Sequence, residues 1–246
     1  MKTPFFALCL LLLGSSTAMG AGGVNVSWGH ACWSDPGHTN LLNFACNTNT
    51  GSARITVSFI PSSDLPQFAG VEVYLDGQAD LGTIPDWWKL YDAGAWCRDA
   101  ILLNGDFSSA PNVGCQVPRG RWYDAWGIAY YRYGEEAGGP DRAQLLIVFA
   151  LADPGVPLTA GTEYYAGQAI IRYVKTVGAG ACAGCIQPMA WWVSMVSLYQ
   201  WTGPTQDLTE APPGGNRCLI WQNSMLCGPP VPVRNTTWGQ VKSLYR

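Results

Sequence analysis

The chain has 246 residues, of which 13% are charged and 12% aromatic, and its formal net charge at pH 7 is −3. A weakly acidic chain of this kind carries no basic patch for nucleic acid or for an anionic membrane surface, so neither partner is indicated. The charged share is well below the usual share of about 25%, while glycine and aromatic residues are abundant, which is typical of an extracellular β-protein. The composition indicates no cofactor.

The first element in chain order is a secretory signal peptide, predicted over residues 1–20. Lys2 forms a short positive region, Phe5–Leu13 is apolar, and the small residues that follow predict cleavage after Gly20 or after Ala18. The apolar run is too short to span a bilayer, and no later run reaches the required length. We therefore expect a secreted protein that does not span the membrane and that lies in the periplasm, at the cell surface or outside the cell.

Strand signals dominate the rest of the chain. Apolar residues alternate with polar ones, aromatic and β-branched residues are enriched, and Gly, Pro and Asn mark the boundaries. The predicted strands cover residues 23–28, 53–61, 70–77, 100–107, 126–133, 143–151, 163–176, 191–201 and 218–223. The run 143–151 is apolar except for Gln144, as expected for a central strand that is covered on both faces.

The stretch 191–201 fits two structures, because four of its side chains also follow helical spacing: Trp192, Met195, Val196 and Tyr199. We interpret it as a strand. Neighbouring residues of a strand point to opposite faces, so one ring of the doublet Trp191–Trp192 would enter the core and the other would face outward.

The order of these elements predicts an all-β fold. About nine strands without helical stretches between them are typical of an antiparallel β-sandwich, jelly-roll-like or immunoglobulin-like. Two short helices are predicted, over 85–92 and 235–244. No Pro- or Ser-rich linker divides the chain, so we predict one sandwich domain over residues 21–232 and a C-terminal tail over 233–246 that contains the second helix.

Eight cysteines follow the predicted signal peptide, an even number that suits disulfide formation in an oxidising compartment. Their spacing favours bridges between sequence neighbours: Cys32–Cys46, Cys97–Cys115, Cys182–Cys185 and Cys218–Cys227. Bridges of this kind pin loops, and each would contribute about 2–4 kcal/mol to stability.

The stretch GAGACAGCIQP, residues 178–188, places Cys182 and Cys185 three apart among glycines. A redox dithiol needs electropositive surroundings that lower the thiol pKa, and this stretch contains no Lys, Arg or His. A zinc ribbon needs a second CxxC, which the sequence lacks. We interpret the pair as a closed disulfide in a tight loop, with a redox dithiol and a metal knuckle as the alternatives.

Four segments carry a further pattern: GVNVSW, FACNTNTGS, AGTEYYAGQAIIRYVKTVGAGACAGC and the terminal RNTTWGQVKSLYR. Together they resemble a group of uncharacterised secreted proteins from environmental Gram-negative bacteria. The 160–185 segment and the C-terminal WGxxKxLYR are the most specific parts. The resemblance implies a secreted β-rich protein in which the CxxC loop and the tail are structural signatures. It implies no activity and no catalytic residue.

Two histidines, His30 and His38, flank Asp35 in HACWSDPGH. Imidazole and carboxylate groups suit zinc or copper, so these three residues are the candidate ligands of a metal site. The two histidines would have to be brought together by a turn that folds back, and we interpret them as structural or solvated residues, with metal binding as the alternative.

Carboxylates beside aromatic residues indicate a second chemistry. A glycosidase needs two carboxyl groups about 5–10 Å apart, and the candidate acids are Asp86, Asp124, Glu135 and Glu136. The sequence does not set their separation, and the turn residues around Glu135 and Glu136 favour a solvated hairpin tip. A serine hydrolase is disfavoured, because a G-x-S-x-G elbow is missing. We assign no catalytic residue.

The aromatic residues are the strongest indication of function. Exposed flat rings beside Asn, Gln and Asp bind sugars by stacking, and aromatic residues also dominate protein interfaces. The candidate contact residues are Trp87, Trp88, Trp122, Trp126, Tyr131 and Trp191. Alternatively, these rings fill the core of the sandwich. We predict a non-catalytic binding or surface-structural module whose partner is a polysaccharide or another extracellular protein, with a polysaccharide hydrolase and a small metal-binding protein as the alternatives.

Overall fold

The computed structural model describes residues 21–91, 97–104, 115–116, 118, 126–151 and 154–227. The predicted signal peptide, the predicted tail helix, Trp122 and Asp124 lie outside these ranges. The predicted all-β sandwich is confirmed, because within them nearly all regular structure is strand. In the same ranges, no helix has the length and the apolar character that crossing a membrane requires.

Twelve strands are present in the described residues. They are β1 (Gly23–Trp28), β2 (Leu41–Leu42), β3 (Ser52–Ile60), β4 (Leu65–Ala79), β5 (Ile101–Asn104), β6 (Trp126–Tyr133), β7 (Arg142–Ala150), β8 (Val156–Leu158), β9 (Tyr164–Arg172), β10 (Met189–Gln200), β11 (Gln206–Leu208) and β12 (Cys218–Trp221).

The strands form two sheets. The smaller sheet has the order β1-β3-β9-β5, and all of its pairs are antiparallel. The larger sheet has the order β2-β12-β10-β4-β7-β6, with β11 paired to β10 and β8 paired to β4. Only the short pair β2–β12 is parallel among the described strands.

The core lies between the two sheets, because alternate side chains of each strand point inward. Val26 and Val57 of the smaller sheet are fully buried, as are Val73, Ile147 and Val193 of the larger one. Burial of a side chain of this size stabilises the fold by about 1.5–3 kcal/mol. The sandwich is therefore held mainly by period-two patterning of apolar residues.

Strand β7 departs from the expectation that it is covered on both faces. Its side chains alternate between buried Leu145 and Ile147 and half-buried Gln144, Leu146 and Val148. The strand lies inside the sheet, between β4 and β6, but only one of its faces meets the other sheet. The outward side chains are therefore mixed, with polar Gln144 beside apolar Leu146 and Val148.

The predicted helix over 85–92 is only a 3-10 turn, Asp86–Trp88, and a second such turn spans Gly134–Ala137. In this segment, backbone hydrogen bonds to distant residues replace the hydrogen bonds that an α-helix would form within itself. The N–H of Trp87 donates to the carbonyl of Ala183 at 2.9 Å, and the carbonyl of Leu90 accepts from the N–H of Ala100 at 2.8 Å.

The disulfides correct three of the expected pairs. The bonds join residues 83, 139, 85 and 9 positions apart: Cys32–Cys115, Cys46–Cys185, Cys97–Cys182 and Cys218–Cys227. The pairs Cys32–Cys46, Cys97–Cys115 and Cys182–Cys185 are wrong, while Cys218–Cys227 is as expected. Cys182 and Cys185 point to two different segments that the sandwich brings beside their loop, so they do not form a dithiol pair here.

Candidate functional site

Four of the predicted contact aromatics are buried and do not form a surface platform. Trp87, Trp88, Trp191 and Tyr131 are at most 7% exposed. The ring centroids of Trp87 and Trp88 lie 5.0 and 5.2 Å from that of Trp221, and Trp191 packs between Trp88 and Tyr131 at 5.7 and 6.4 Å. The interpretation of these four as ligand contacts is therefore wrong, and the alternative of a ring-filled core is correct for them. Trp126 begins β6, and Trp122 lies outside the described residues.

A buried arginine completes this aromatic core. The guanidinium of Arg98 lies 3.5 Å from the ring centre of Trp87 and donates to the carbonyls of Arg172 and Val174 at 3.0 and 3.1 Å. Burial lowers the pKa of Arg98 to about 9, whereas burial raises the pKa of Tyr131, whose hydroxyl donates to the carbonyl of Trp88. These contacts fix the packing of the sandwich, which is a structural role.

The histidine segment does not assemble a metal centre. The Nδ1 atom of His38 lies 2.8 Å from the backbone oxygen of Asp35, and the ring of His38 packs at a tilt against Trp33, with the ring centroids 4.1 Å apart. The carboxylate of Asp35 accepts from the N–H of Cys32 at 2.7 Å. Among the described residues, no three His, Cys, Asp or Glu side chains are grouped to hold a metal ion.

The predicted acids within the described residues lie in the two 3-10 turns. Asp86 pairs with Lys89 at 2.6 Å, beside the turn that holds the two buried tryptophans. Glu135 and Glu136 lie in the other 3-10 turn and are exposed. A cleft of about 510 Å³ has Asp64 and Asp207 in its wall, but each carboxylate already accepts a structural hydrogen bond, from Ala160 N–H and Ser197 Oγ respectively.

The outer side of the larger sheet presents a different surface, which we call the open face. It is formed by outward side chains of β10, β4, β7 and β6: Trp192, Met195, Tyr199, Glu72, Tyr74, Asp76, Arg142, Gln144, Leu146, Tyr130 and Arg132. All of them are half-buried or exposed, and Tyr130 and Tyr199 are 50% and 41% exposed. Aromatic and polar side chains are thus mixed on one surface of the sheet.

A β-bulge at Ser194 determines which side chains of β10 reach the open face. Trp192 is opposite Asp76 and Met195 is opposite Tyr74, so the pairing with β4 shifts by one residue between Val193 and Met195. A bulge of this kind inserts one extra residue and lets the strand resume its alternation. Trp192 and Met195 therefore lie on the same face although they are three residues apart.

One row of the open face is aromatic and apolar. Met195, Tyr74, Leu146 and Tyr130 are direct partners across β10, β4, β7 and β6. Partners of this kind have their Cβ atoms about 4.5–5.5 Å apart. The two tyrosine rings are therefore held on either side of Leu146 at a fixed separation, which is an arrangement suited to stacking on a flat ligand.

The adjacent row is polar. Trp192, Asp76, Gln144 and Arg132 are direct partners across the same four strands. The amide nitrogen of Gln144 donates to Asp76 at 2.8 Å, and the guanidinium of Arg132 donates to the amide oxygen of Gln144. This ladder keeps a carboxylate, an amide and a guanidinium in line, each with hydrogen-bonding capacity left over. The guanidinium of Arg142 lies 5.7 Å from the ring of Trp192.

Glu72 orients the tyrosines at one end of the open face. The hydroxyl of Tyr199 donates to the Glu72 carboxylate at 2.6 Å. This hydrogen bond raises the pKa of Tyr199 to about 12, and burial together with Glu72 raises the pKa of Tyr74. Both phenols therefore stay protonated through the neutral range and can act as neutral stacking and donor groups.

Four aromatic residues of the open face were missed by the sequence analysis: Tyr74, Tyr130, Trp192 and Tyr199. The signal that identifies them is their position in the alternation of inward and outward side chains along each strand. Tyr74 lies between buried Val73 and Leu75, so its ring must point away from the core. The tryptophan doublets were the wrong guide, because both Trp87 and Trp88 lie in a turn and Trp191 is in phase with buried Val193.

No family model matches the chain, and no curated protein matches it in sequence. Among solved structures, the chain is similar to the cohesin module of a family 33 glycoside hydrolase from Clostridium perfringens ATCC13124. The likeness covers 81% of this chain and 94% of that one, with 7% sequence identity and a TM-score of 0.38. A TM-score of this size does not establish a shared fold, and the likeness carries no argument about function.

Proposed function

We propose that the protein is a secreted, non-catalytic binding module that recognises polysaccharide through the open face. The observation that carries the proposal is the side-by-side arrangement of an aromatic row, containing Tyr74 and Tyr130, and a hydrogen-bonded polar row, Asp76–Gln144–Arg132. Sugars offer apolar ring faces and a rim of hydroxyl groups, and the two rows match these two properties.

A polysaccharide fits this surface better than a protein partner does. The centres of protein interfaces are depleted of charged residues, because each charge must be desolvated when the interface closes. The open face instead has Asp76 on its interior strand β4, Arg132 on its outermost strand β6, and Glu72 and Arg142 beside the rings. A hydroxylated ligand can replace the water around these groups with hydrogen bonds of its own.

The disulfides support export. Four bonds in one chain are typical of proteins that fold in an oxidising compartment, as are the low share of charged residues and the predicted signal peptide. A module of this kind would meet extracellular polysaccharide directly.

The experiment that tests the proposal is a binding screen of the mature protein against soluble and insoluble polysaccharides, followed by calorimetry on the tightest binder. The double variant Tyr130→Ala/Trp192→Ala should bind at least tenfold more weakly, because each stacking contact contributes about 0.5–1.5 kcal/mol beyond its buried area.

The matched control is Trp201→Ala. Trp201 is 50% exposed, but it lies past the end of β10 and outside the open face. This variant should bind like the parent protein. Loss of binding in Trp201→Ala, with full binding in the double variant, would contradict the proposal and would place the ligand at the hairpin that follows β10.

A further inference from the structure

We propose that the ligand is an extended, uncharged polysaccharide chain that lies across the strands, along the two rows of the open face, and not along β10. This inference rests on the proposed function and adds the direction of the chain and its charge class.

The spacing of the rings sets the direction. Tyr74 and Tyr130 are separated by a single strand, β7, and both are aligned with Leu146. Two interstrand spacings place their Cα atoms about 10 Å apart. In an extended β-linked chain, every second sugar presents the same ring face, and that repeat is of the same size. The two rings therefore stack on alternate sugars of a chain that runs across β4, β7 and β6.

The polar row runs beside this path at a constant distance. Asp76, Gln144 and Arg132 each lie two residues from the member of the aromatic row on the same strand, which corresponds to about 7 Å. A sugar chain above the rings therefore has one edge of hydroxyl groups next to a carboxylate, an amide and a guanidinium. The hydrogen bonds within the ladder fix these groups before the ligand arrives, which lowers the entropy lost on binding.

The charge of the open face indicates the ligand class. The open face has two acids, Glu72 and Asp76, and two bases, Arg132 and Arg142. Asp207 of neighbouring β11 adds a third acid, which acts on Tyr74. The base Arg132 is already linked to Asp76 through Gln144. A carboxylated or sulfated chain would meet more repulsive charges than attractive ones, and an uncharged chain avoids this repulsion.

The competing direction, along β10, offers fewer contacts. Trp192, Met195, Ser197 and Tyr199 lie on that path. The hydroxyl of Ser197 already donates to Asp207 at 2.7 Å, and the hydroxyl of Tyr199 already donates to Glu72 at 2.6 Å. The path therefore has one ring at each end and no polar row that follows it.

The test compares Tyr130→Ala with Tyr199→Ala. Both side chains are tyrosines of the open face with similar exposure, and each variant is checked for an unchanged circular dichroism spectrum and melting temperature. We expect Tyr130→Ala to weaken binding of the selected uncharged polysaccharide about tenfold and Tyr199→Ala to weaken it less than about twofold.

The outcomes separate the inference from the proposed function. A large loss in Tyr199→Ala with none in Tyr130→Ala would overturn the direction and would leave the open face as the binding site. If both variants bind the polysaccharide as tightly as the parent protein does, both proposals would be overturned. A failure of every polysaccharide to bind would also overturn both.

The charge class is tested with the same polysaccharide and its carboxymethylated derivative, each at low and high salt. We expect the uncharged form to bind more tightly at both salt concentrations, and its affinity to be nearly independent of salt. Tighter binding of the acidic form that is lost at high salt, and lost in Arg132→Gln, would overturn the inference that the ligand is uncharged while leaving polysaccharide binding in place.

Discussion

Part of the outer face of the smaller sheet is covered by polypeptide, whereas the outer face of the larger sheet is open. On the smaller sheet, five outward side chains of β1, β3 and β9 are at most 2% exposed: Asn25, Ser27, Thr56, Ser58 and Gln168. Towards β5 the cover ends, and Leu102 is 47% exposed. On the larger sheet, outward Tyr130 and Tyr199 are 50% and 41% exposed. Both faces are polar by sequence, so polarity alone does not decide exposure.

The cover of the smaller sheet is the segment that follows β1, residues 29–38. Its backbone oxygens satisfy the buried hydroxyl groups: Thr56 Oγ1 donates to Gly29 O at 2.6 Å, and Ser27 Oγ donates to Ala31 O. Because a buried hydroxyl without a partner costs free energy, these bonds are a condition for closing this side of the sandwich. The Cys32–Cys115 disulfide holds the cover segment in place.

Glu163 adds a second layer to the covered face. Its carboxylate accepts from Asn25 Nδ2 at 2.9 Å, from Ser58 Oγ at 2.5 Å and from the N–H of Ser34 at 3.1 Å. The polar groups of the covered face are thus used up within the fold. Those of the open face pair along the surface and keep capacity for a ligand, which is the difference between a structural face and a binding face.

Deleting Ser194 should have the largest effect on the stability of the fold, because it changes which side chains of β10 form the open face. Without the bulge, the part of β10 after Val193 would exchange its two faces, and buried Val196 and Leu198 would turn outward. Each lost burial costs about 1.5–3 kcal/mol, so we expect loss of cooperative thermal unfolding, measured by circular dichroism. The control Ser194→Ala removes only the hydrogen bond to Tyr74 O at 3.3 Å and should cost about 1 kcal/mol. A deletion variant that melts like the parent protein would refute the role of the bulge.

Removing the disulfide of the cover segment should have the next largest effect. In the loop-entropy model, the 83-residue separation of Cys32 and Cys115 corresponds to about 4.5 kcal/mol, and the 9-residue separation of Cys218 and Cys227 to about 2.5 kcal/mol. We expect Cys32→Ser/Cys115→Ser to lower the melting temperature by on the order of 10 °C, and Cys218→Ser/Cys227→Ser to lower it less. Polysaccharide binding should be unchanged in the first variant, because the open face lies on the opposite side of the sandwich. Equal losses of stability would argue against a special role for the cover.

Replacing Glu72 should have the smallest effect, and this effect appears in the pH dependence of the melting temperature. The Glu72 hydrogen bond raises the pKa of Tyr199 to about 12 in the folded state, above the value of about 10 expected in the unfolded chain. A raised pKa contributes stability that is fully present below about pH 10 and is lost as the pH rises through about 12. We expect the melting temperature of Glu72→Gln to lie slightly below that of the parent at pH 8, and the difference to shrink towards pH 12.

The same variant gives a direct spectroscopic check. The tyrosinate absorbance of Glu72→Gln should appear at lower pH than that of the parent protein, because Glu72 raises the pKa of both Tyr199 and Tyr74. Superimposable titration curves would show that Glu72 does not hold Tyr199.

The strands of this fold could be predicted from the sequence because their signal is local. Period-two alternation in 53–61 and 70–77 predicts β3 and the central part of β4, and both strands place the predicted apolar residues in the core. The helix predicted over 85–92 failed for the opposite reason. Trp87 and Trp88 are held by bonds and packing from distant segments, which a local propensity does not contain.

In strand β10, a β-bulge changes the spacing of the outward side chains, so that the sequence resembles a helix. The helical spacing of Trp192 and Met195 is produced by the bulge at Ser194, which a bulge-free strand template does not anticipate. The interpretation of the stretch as a strand is confirmed, and so is the inference that one ring of the tryptophan doublet faces outward. The choice of Trp191 as the contact residue was wrong, because Trp191 shares its phase with the core residue Val193.

The sequence by itself determined the all-β character of the described chain and the oxidation of its eight later cysteines, since alternation and cysteine number are properties of composition and of near neighbours. Only the tertiary structure decided which cysteines meet and which polar face stays open. Both depend on where the segments that follow the strands cross the finished sandwich, and that is set by contacts between residues more than 80 positions apart, such as Cys32–Cys115 and Cys46–Cys185.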